Sequence, residues 1–186
     1  MAFDPQPCLR GELLELRPLR SEHWPALFAV ASDPMIWEQH PDRDRYEEKV
    51  FREFFRVALE SGCALVATDL RDGQVIGSSR FHAYDEEHRE VAIGWTFLAR
   101  SHWGGRYNGE MKRLMIQHAF ASVDHVVFSI GPRNHRSRRA IERIGGVEVG
   151  SRFTRGHESI VYRISKPWVP PKAAGPVVQQ TPPDLS

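Results

Sequence analysis

Between Ser101 and Leu114 the chain reads SHWGGRYNGEMKRL, with three glycines and an asparagine directly ahead of a helical pattern. A helix start offers unpaired N–H groups and about half a positive charge. Glycine removes the Cβ that would hold a phosphate oxygen away from those groups. The stretch therefore has two readings, a plain turn or a seat for an anion. It is neither of the common phosphate loops, because Gly-Lys-Ser/Thr is absent and G-x-G-x-x-G is not met. A second group of chemically capable residues lies at Asn134 to Arg143, where Ser137 follows Asn134 by three and Arg133, Arg136, Arg138, Arg139 and Arg143 cluster. The arginines read either as a solvated helix face or, at Arg138 and Arg139, as phosphate contacts. Nine histidines are scattered without metal-ligand spacing, so no metal is expected.

These residues need elements to hold them. Leu14 and Leu16 alternate with charged neighbours in a short strand that Pro18 stops. Trp24, Leu27, Phe28 and Ala31 then keep helical spacing behind Ser21, and a loop with two prolines follows. Val50, Phe51, Phe54, Phe55 and Ala58 predict a second helix over 45–60. Strands are expected in CALVATD and QVIGSSRFHA, joined by an Asp72-Gly73 hairpin turn, and in REVAIGWTFL, where Val91, Ile93, Trp95 and Phe97 share one face. The helix after the glycines carries Met111, Leu114, Met115, His118 and Ala119 on one stripe. HVVFSI is a buried strand, Asn134 caps a last helix, and two strands close the domain. The order predicts a mixed α/β domain over 11–166, behind a loose arm at 1–10. Residues 167–186 hold six of the thirteen prolines and read as a tail outside the domain.

The totals narrow the class. At 186 residues with 41% hydrophobic and 26% charged residues, the chain suits one globular domain. A net charge of +1 gives no overall pull toward nucleic acid, which makes nucleic acid an unlikely partner by charge. Cys8 and Cys63 form no disulfide framework or metal set, no apolar run approaches a membrane span, and a cytoplasmic protein is expected.

EVAIGWTFLARSHWGGRYNGEMKRLMIQHAF followed by NHRSRRAIERIGG resembles the Gcn5-related N-acetyltransferase (GNAT) family, in particular its ribosomal-protein (RimJ/RimL-like) branch. The resemblance covers residues 11 to 165 in element order and is specific at 90–120 and 134–146. It implies a mostly antiparallel central sheet of six to seven strands flanked by four helices, and acetyl-CoA as co-substrate. It also implies that Thr96, Phe97 and Leu98 line the pantetheine arm, as if that arm were another strand. Trp103, Gly104, Gly105, Arg106, Tyr107, Asn108 and Gly109 would wrap the pyrophosphate, with Arg106 standing where a glycine is usual. Asn134 would meet the far part of the pantetheine, and Arg138 and Arg139 the nucleotide end.

The same resemblance implies a carboxylate on the strand and a hydroxyl near the sulfur. Ala92 stands where the carboxylate is expected, so Glu90, two residues earlier, is the candidate base through water. Ile141 stands where many relatives have tyrosine, which makes Ser137 the candidate acid. The loop with Trp37, His40 and Tyr46 would roof the acceptor, and Arg80 and His82 share a strand face that would meet it. The implied activity is direct acetyl transfer to a primary amine of a peptide or protein N-terminus or of a small molecule, in a monomer or a homodimer. A coenzyme-binding module whose catalysis has decayed is the alternative, and a nucleic-acid binder built on the arginines is a third reading.

Overall fold

Alternation turns one side of strand β2 (Leu14–Pro18) inward, and its Leu14 and Leu16 are fully buried. The computed structural model describes residues 3–154 and 156–170. Its elements run β1 (Leu9–Arg10), β2, α1 (Trp24–Ala31), α2 (Glu48–Glu60), β3 (Ala64–Asp69), β4 (Val75–Asp85), β5 (Glu90–Leu98), α3 (Arg106–Ala119), β6 (His125–Ile130), α4 (His135–Arg143), β7 (Val147–Thr154) and β8 (His157–Ser165). One eight-stranded sheet has the order β1-β2-β3-β4-β5-β6-β8-β7. Every neighbouring pair is antiparallel except β5 with β6. The mixed α/β class, the four helices and the mostly antiparallel sheet agree with the sequence reading, and the strand count is higher by β1.

Two cores cover the two faces of the sheet. On one, Met111, Met115 and Ile116 of α3 and Ile141 of α4 pack with Phe81, Val91 and Ile93. On the other, Phe51, Phe55 and Ala58 of α2, spaced i, i+4, i+7, pack with Leu27, Trp37 and Phe97. The β1–β2 turn is fastened to α3 by the Glu110 carboxylate, which accepts the backbone N–H groups of Glu12, Leu13 and Leu14 at 2.8, 2.8 and 3.0 Å. Helix α2 starts at Glu48 rather than near Arg45, because the side chain of Arg45 turns inward over Phe54 and Trp37.

The expected run of Val91, Ile93, Trp95 and Phe97 on one face does not hold. Trp95 has φ +50, and the β4–β5 register shifts between Ser78 and Arg80. The bulge adds one residue, so Val91 and Ile93 join the α3 core while Phe97 joins the α2 core. Trp95 lies on the second face, beside His82 and Arg80.

Both ends of the chain also depart from expectation. Residues 1–10 are not a loose arm as far as they are described: Phe3 meets the Phe81 ring edge-to-face at 5.1 Å and stacks on Tyr84 at 5.2 Å, and Leu9–Arg10 pairs with β2. Trp168, expected in the tail, donates from Nε1 to the Ile144 carbonyl at 2.8 Å and meets the Phe120 ring at 6.1 Å. The remainder of the expected tail, 171–186, lies outside the described residues. Aromatic side chains supply large buried area, which offsets the entropy of ordering a terminus. Trp168→Ala should therefore destabilise the fold by about 2 kcal/mol, below the ~3–5 kcal/mol of a fully buried tryptophan. That is a fall of roughly 4–8 °C in melting temperature. An unchanged melt would show that this docking contributes nothing.

Candidate active site

Two strands that stop pairing make the site. β5 and β6 run in register only from Glu90 to Ala92 against His125 to Val127, although β5 continues to Leu98 and β6 to Ile130. Beyond that point they diverge and leave the inner edge of β5 without a ladder partner. Unpaired strand N–H and C=O groups are a template for an extended ligand.

The cleft opened by that divergence gathers residues from four parts of the chain. Thr96, Phe97 and Leu98 come from β5, and His102, Trp103, Gly104, Gly105 and Asn108 from the turn and first turn of α3. Asn134, Arg136, Ser137 and Ala140 come from α4, and Ile36, Trp37 and His40 from the α1–α2 loop. Gly104 and Gly105 have φ +103 and +102, and a Cβ built on either meets nothing within 4 Å. Gly105 caps α3 with no side chain to satisfy the first amides, and the first helical bond is donated by the Gly109 N–H to the Gly105 carbonyl at 2.8 Å. A glycine cradle with empty space at a helix start fits an anionic phosphate.

Neighbours hold the turn in place. Trp103 Nε1 donates to the Leu98 carbonyl at 3.0 Å. The buried Asp69 carboxylate accepts from His102 Nε2 at 3.0 Å, Tyr107 Oη at 3.1 Å and Arg71 Nη2 at 2.7 Å. The Arg71 hydrogen bonds hold that carboxyl well below the usual carboxylate range. Tyr107 is thus turned to β3 and away from the cleft.

At α4 the Asn134 side chain accepts the Ser137 N–H at 3.1 Å, a helix cap that also fixes where Ser137 stands. Arg136 closes the cleft from above. Its Nη2 donates to the Ile36 carbonyl at 3.0 Å, and its guanidinium lies 3.9 Å from the centre of the Trp103 ring. Beneath β5, the buried Lys112 donates from Nζ to Thr96 Oγ1 at 2.5 Å, and that hydroxyl also bonds Ser79 Oγ at 2.7 Å. Burial brings the Lys112 amine down to about 7. His40 is held at about 4 by burial and then by Arg45, so it is neutral near pH 7.

Some expected residues lie elsewhere. Arg138 donates to Tyr162 Oη at 2.9 Å and the Pro132 carbonyl at 3.3 Å, because it projects around α4 from Arg136 and Ser137 toward β8. Arg139 and Arg106 are exposed, and Gly109 lies past the mouth of the cleft. Glu90 pairs with Arg163 at 3.0 Å and sits at the far end of β5, about 20 Å from Thr96 at ordinary strand rise. Arg80 and His82 flank Trp95 on the α2 face. Ile36, His102, Arg136, Ala140 and Lys112 were not singled out by sequence. For Arg136 the signal was the arginine cluster itself, and for Lys112 there was none. Among the described residues no group of His, Cys, Asp and Glu has the geometry to hold a metal ion.

The sequence matches the family described as Acetyltransferase (GNAT) domain over residues 14–147. The chain belongs to the GNAT acetyltransferases. It is an N-acetyltransferase of the kind that draws its acetyl group from acetyl-CoA. No curated protein matches it. Among solved structures, this acetyltransferase is similar to a GCN5-related N-acetyltransferase from Brucella melitensis, at 19% identity and TM-score 0.76, covering 86% of this chain and 79% of that one. An acetyltransferase from Agrobacterium tumefaciens str. C58 is 24% identical, with TM-score 0.69 and coverage of 86% and 95%. Mycobacterium smegmatis RimJ in complex with CoA-disulfide is 19% identical, with TM-score 0.64 and coverage of 86% of each chain. No helix among the described residues is long and apolar enough to cross a membrane.

Proposed function

We propose that this acetyltransferase acetylates a primary amine directly, at a peptide or protein N-terminus or on a small molecule, in the cytoplasm. The observation that carries the reading is the convergence of an open glycine cradle, an unpaired strand edge and Ser137 on one cleft. The acetyl group arrives activated as the thioester of the coenzyme. In this reading Gly104 and Gly105 and the first amides of α3 hold its phosphates. The free edge at Thr96 to Leu98 pairs with the pantetheine amides, and Asn134 bonds the arm further along. Arg136 over Trp103 limits water above the cleft.

The amine nitrogen forms its bond to the acetyl carbon as the carbon–sulfur bond breaks, and Ser137 donates its hydroxyl hydrogen bond to the sulfur as charge gathers there. Glu90 is tied to Arg163, so the amine proton leaves to water. Positioning two reactants this way supplies much of the rate without a strong acid or base.

Thiol release from acetyl-CoA across a panel of amines and peptides tests the activity. Ser137→Ala should lower kcat at least tenfold and leave KM for acetyl-CoA within threefold, the pattern of an interaction made mainly as the sulfur departs. An unchanged kcat would remove Ser137 from the reaction. A coenzyme-dependent rise in melting temperature with no turnover on any amine would instead identify a coenzyme-binding module.

A further inference from the structure

Arg80 is a buried cation without an acid. Its side chain rises from β4 with 5% of its surface exposed, and its Nε is buried with no hydrogen-bond partner. Two rings bracket the guanidinium, Trp95 at 4.5 Å and Phe54 at 5.6 Å from its carbon to their centres. The groups that act on its charge are the Cys63 thiol and a second guanidinium, Arg45. Desolvating an unpaired guanidinium is unfavourable, and aromatic faces offset only part of that.

The charged side chains nearest it are mostly cationic, and burial holds the two neighbouring imidazoles, His82 and His40, neutral near pH 7. His82, two residues along the same face of β4, sits 4.5 Å from Trp95, with Arg152 of β7 adding positive potential. Arg45 lies 3.2 Å from His40 Nε2, and His157 at the start of β8 acts on the same imidazole. Of the carboxylates in this group, Asp42 is already engaged with Arg45 at 2.5 Å, and Asp44 acts on the same guanidinium rather than on Arg80. The cluster adjoins the cleft, because Phe54 packs against Trp37 and Phe97, which line it. Trp95, half-buried on its bulge, lies against the guanidinium.

We propose that Arg80 seats an oxyanion, carboxylate or phosphate, carried by the amine that this acetyltransferase acetylates. The inference rests on the acetyltransferase reading above and adds the substrate class. A planar guanidinium held between two rings has few orientations left to lose and matches a two-oxygen anion through parallel N–H donors. The same charges serve the chemistry. Cations around a bound amine disfavour its protonated form, which keeps its lone pair available where Ala92 offers no base. An acceptor with no anion of its own would leave the Arg80 guanidinium unpaired.

The test compares matched acceptors: α-amino acids and their carboxamides, N-terminal peptides with Glu or Asp and their Gln or Asn counterparts, and phosphoethanolamine beside ethanolamine. Wild type should favour the anionic member of at least one pair by roughly 10- to 100-fold in kcat/KM, the range of one charge-assisted contact. The pair that responds separates carboxylate from phosphate. Arg80→Leu should erase that preference while leaving KM for acetyl-CoA unchanged, and Arg80→Lys should retain part of it. Glutarate or inorganic phosphate should raise the melting temperature of wild type and not of Arg80→Leu. Equal turnover of charged and neutral partners, or a preference that survives Arg80→Leu, overturns the proposal and leaves the acetyltransferase reading intact. If Arg80→Leu does not fold, Arg80→Lys decides, and full wild-type preference in it is the overturning result. If no amine is acetylated, the absence of an anion-dependent melting shift in wild type overturns it.

Discussion

Gly105→Val is expected to weaken binding of desulfo-coenzyme A at least a hundredfold while lowering stability by only about 1–3 kcal/mol. The stability loss comes from the backbone: Gly105 has φ +102, which a β-branched residue adopts at a cost of order 1–3 kcal/mol. It does not come from a clash, because a Cβ there meets no atom within 4 Å. That open space lies at the uncapped start of α3, where the first amides have no other partner. A valine fills it and displaces whatever those amides bind. Each charge-assisted hydrogen bond from a backbone N–H to phosphate is worth on the order of 1.5–3 kcal/mol, so two lost contacts give the hundredfold. Calorimetry on folded protein reads the affinity, and denaturant melts read the stability. Affinity within threefold of wild type, with only the melt reduced, would mean that the glycines merely turn the chain.

The second large effect is on stability and runs with pH. Lys112→Met is expected to stabilise the protein by several kcal/mol at pH 6, and by much less at pH 10. The Lys112 ammonium is buried, with the Thr96 hydroxyl at 2.5 Å and the Phe128 ring at 5.5 Å as its surroundings. Burial takes its pKa from 10.5 down to about 7. The unfolded chain therefore holds more protons than the folded one between those values, so stability rises with pH across that window. Below about 7 the full penalty of the buried charge is present, and above 10.5 it is gone. At about 1.36 kcal/mol per pH unit the penalty amounts to several kcal/mol, and methionine of similar length removes it. Thr96 keeps a partner in Ser79, so the variant leaves no orphaned hydroxyl. Urea unfolding at pH 6, 8 and 10 measures the difference. A gap between variant and wild type that stays constant with pH would show that the amine is solvated or neutral throughout.

Local signals in the sequence carried a large part of the fold. The Asp72-Gly73 turn, the glycines before α3 and the Asn134 cap act within a few residues of themselves, so their outcome depends little on what packs around them. The helical stripes of α2 and α3 are likewise properties of the segment, because burying one face suffices to choose the period. From those signals the chain order, the four helices and the glycine turn at the start of α3 could all be read before any coordinates.

Tertiary structure decided the rest, and the reason is the same in each case: the deciding contact joins residues far apart in sequence. The bulge at Trp95 answers to the register of β4 against β5, and by adding one residue it sends Phe97 to the opposite core from Ile93. The parting of β5 from β6 after Ala92 and Val127 is invisible in either strand alone. Arg138 and Arg139 were the arginines expected at phosphate, yet α4's rotation against the sheet brings Arg136 to the cleft lining instead. Glu110 and Lys112 flank the apolar stripe of α3 and read as surface residues. They are buried because the β1–β2 turn closes over one and the parted strands lie above the other. Composition and periodicity determine which segments fold and which face turns inward. Which charges are then enclosed without a partner is set by packing, because burial makes a lone charge unfavourable only once distant elements have excluded the water around it.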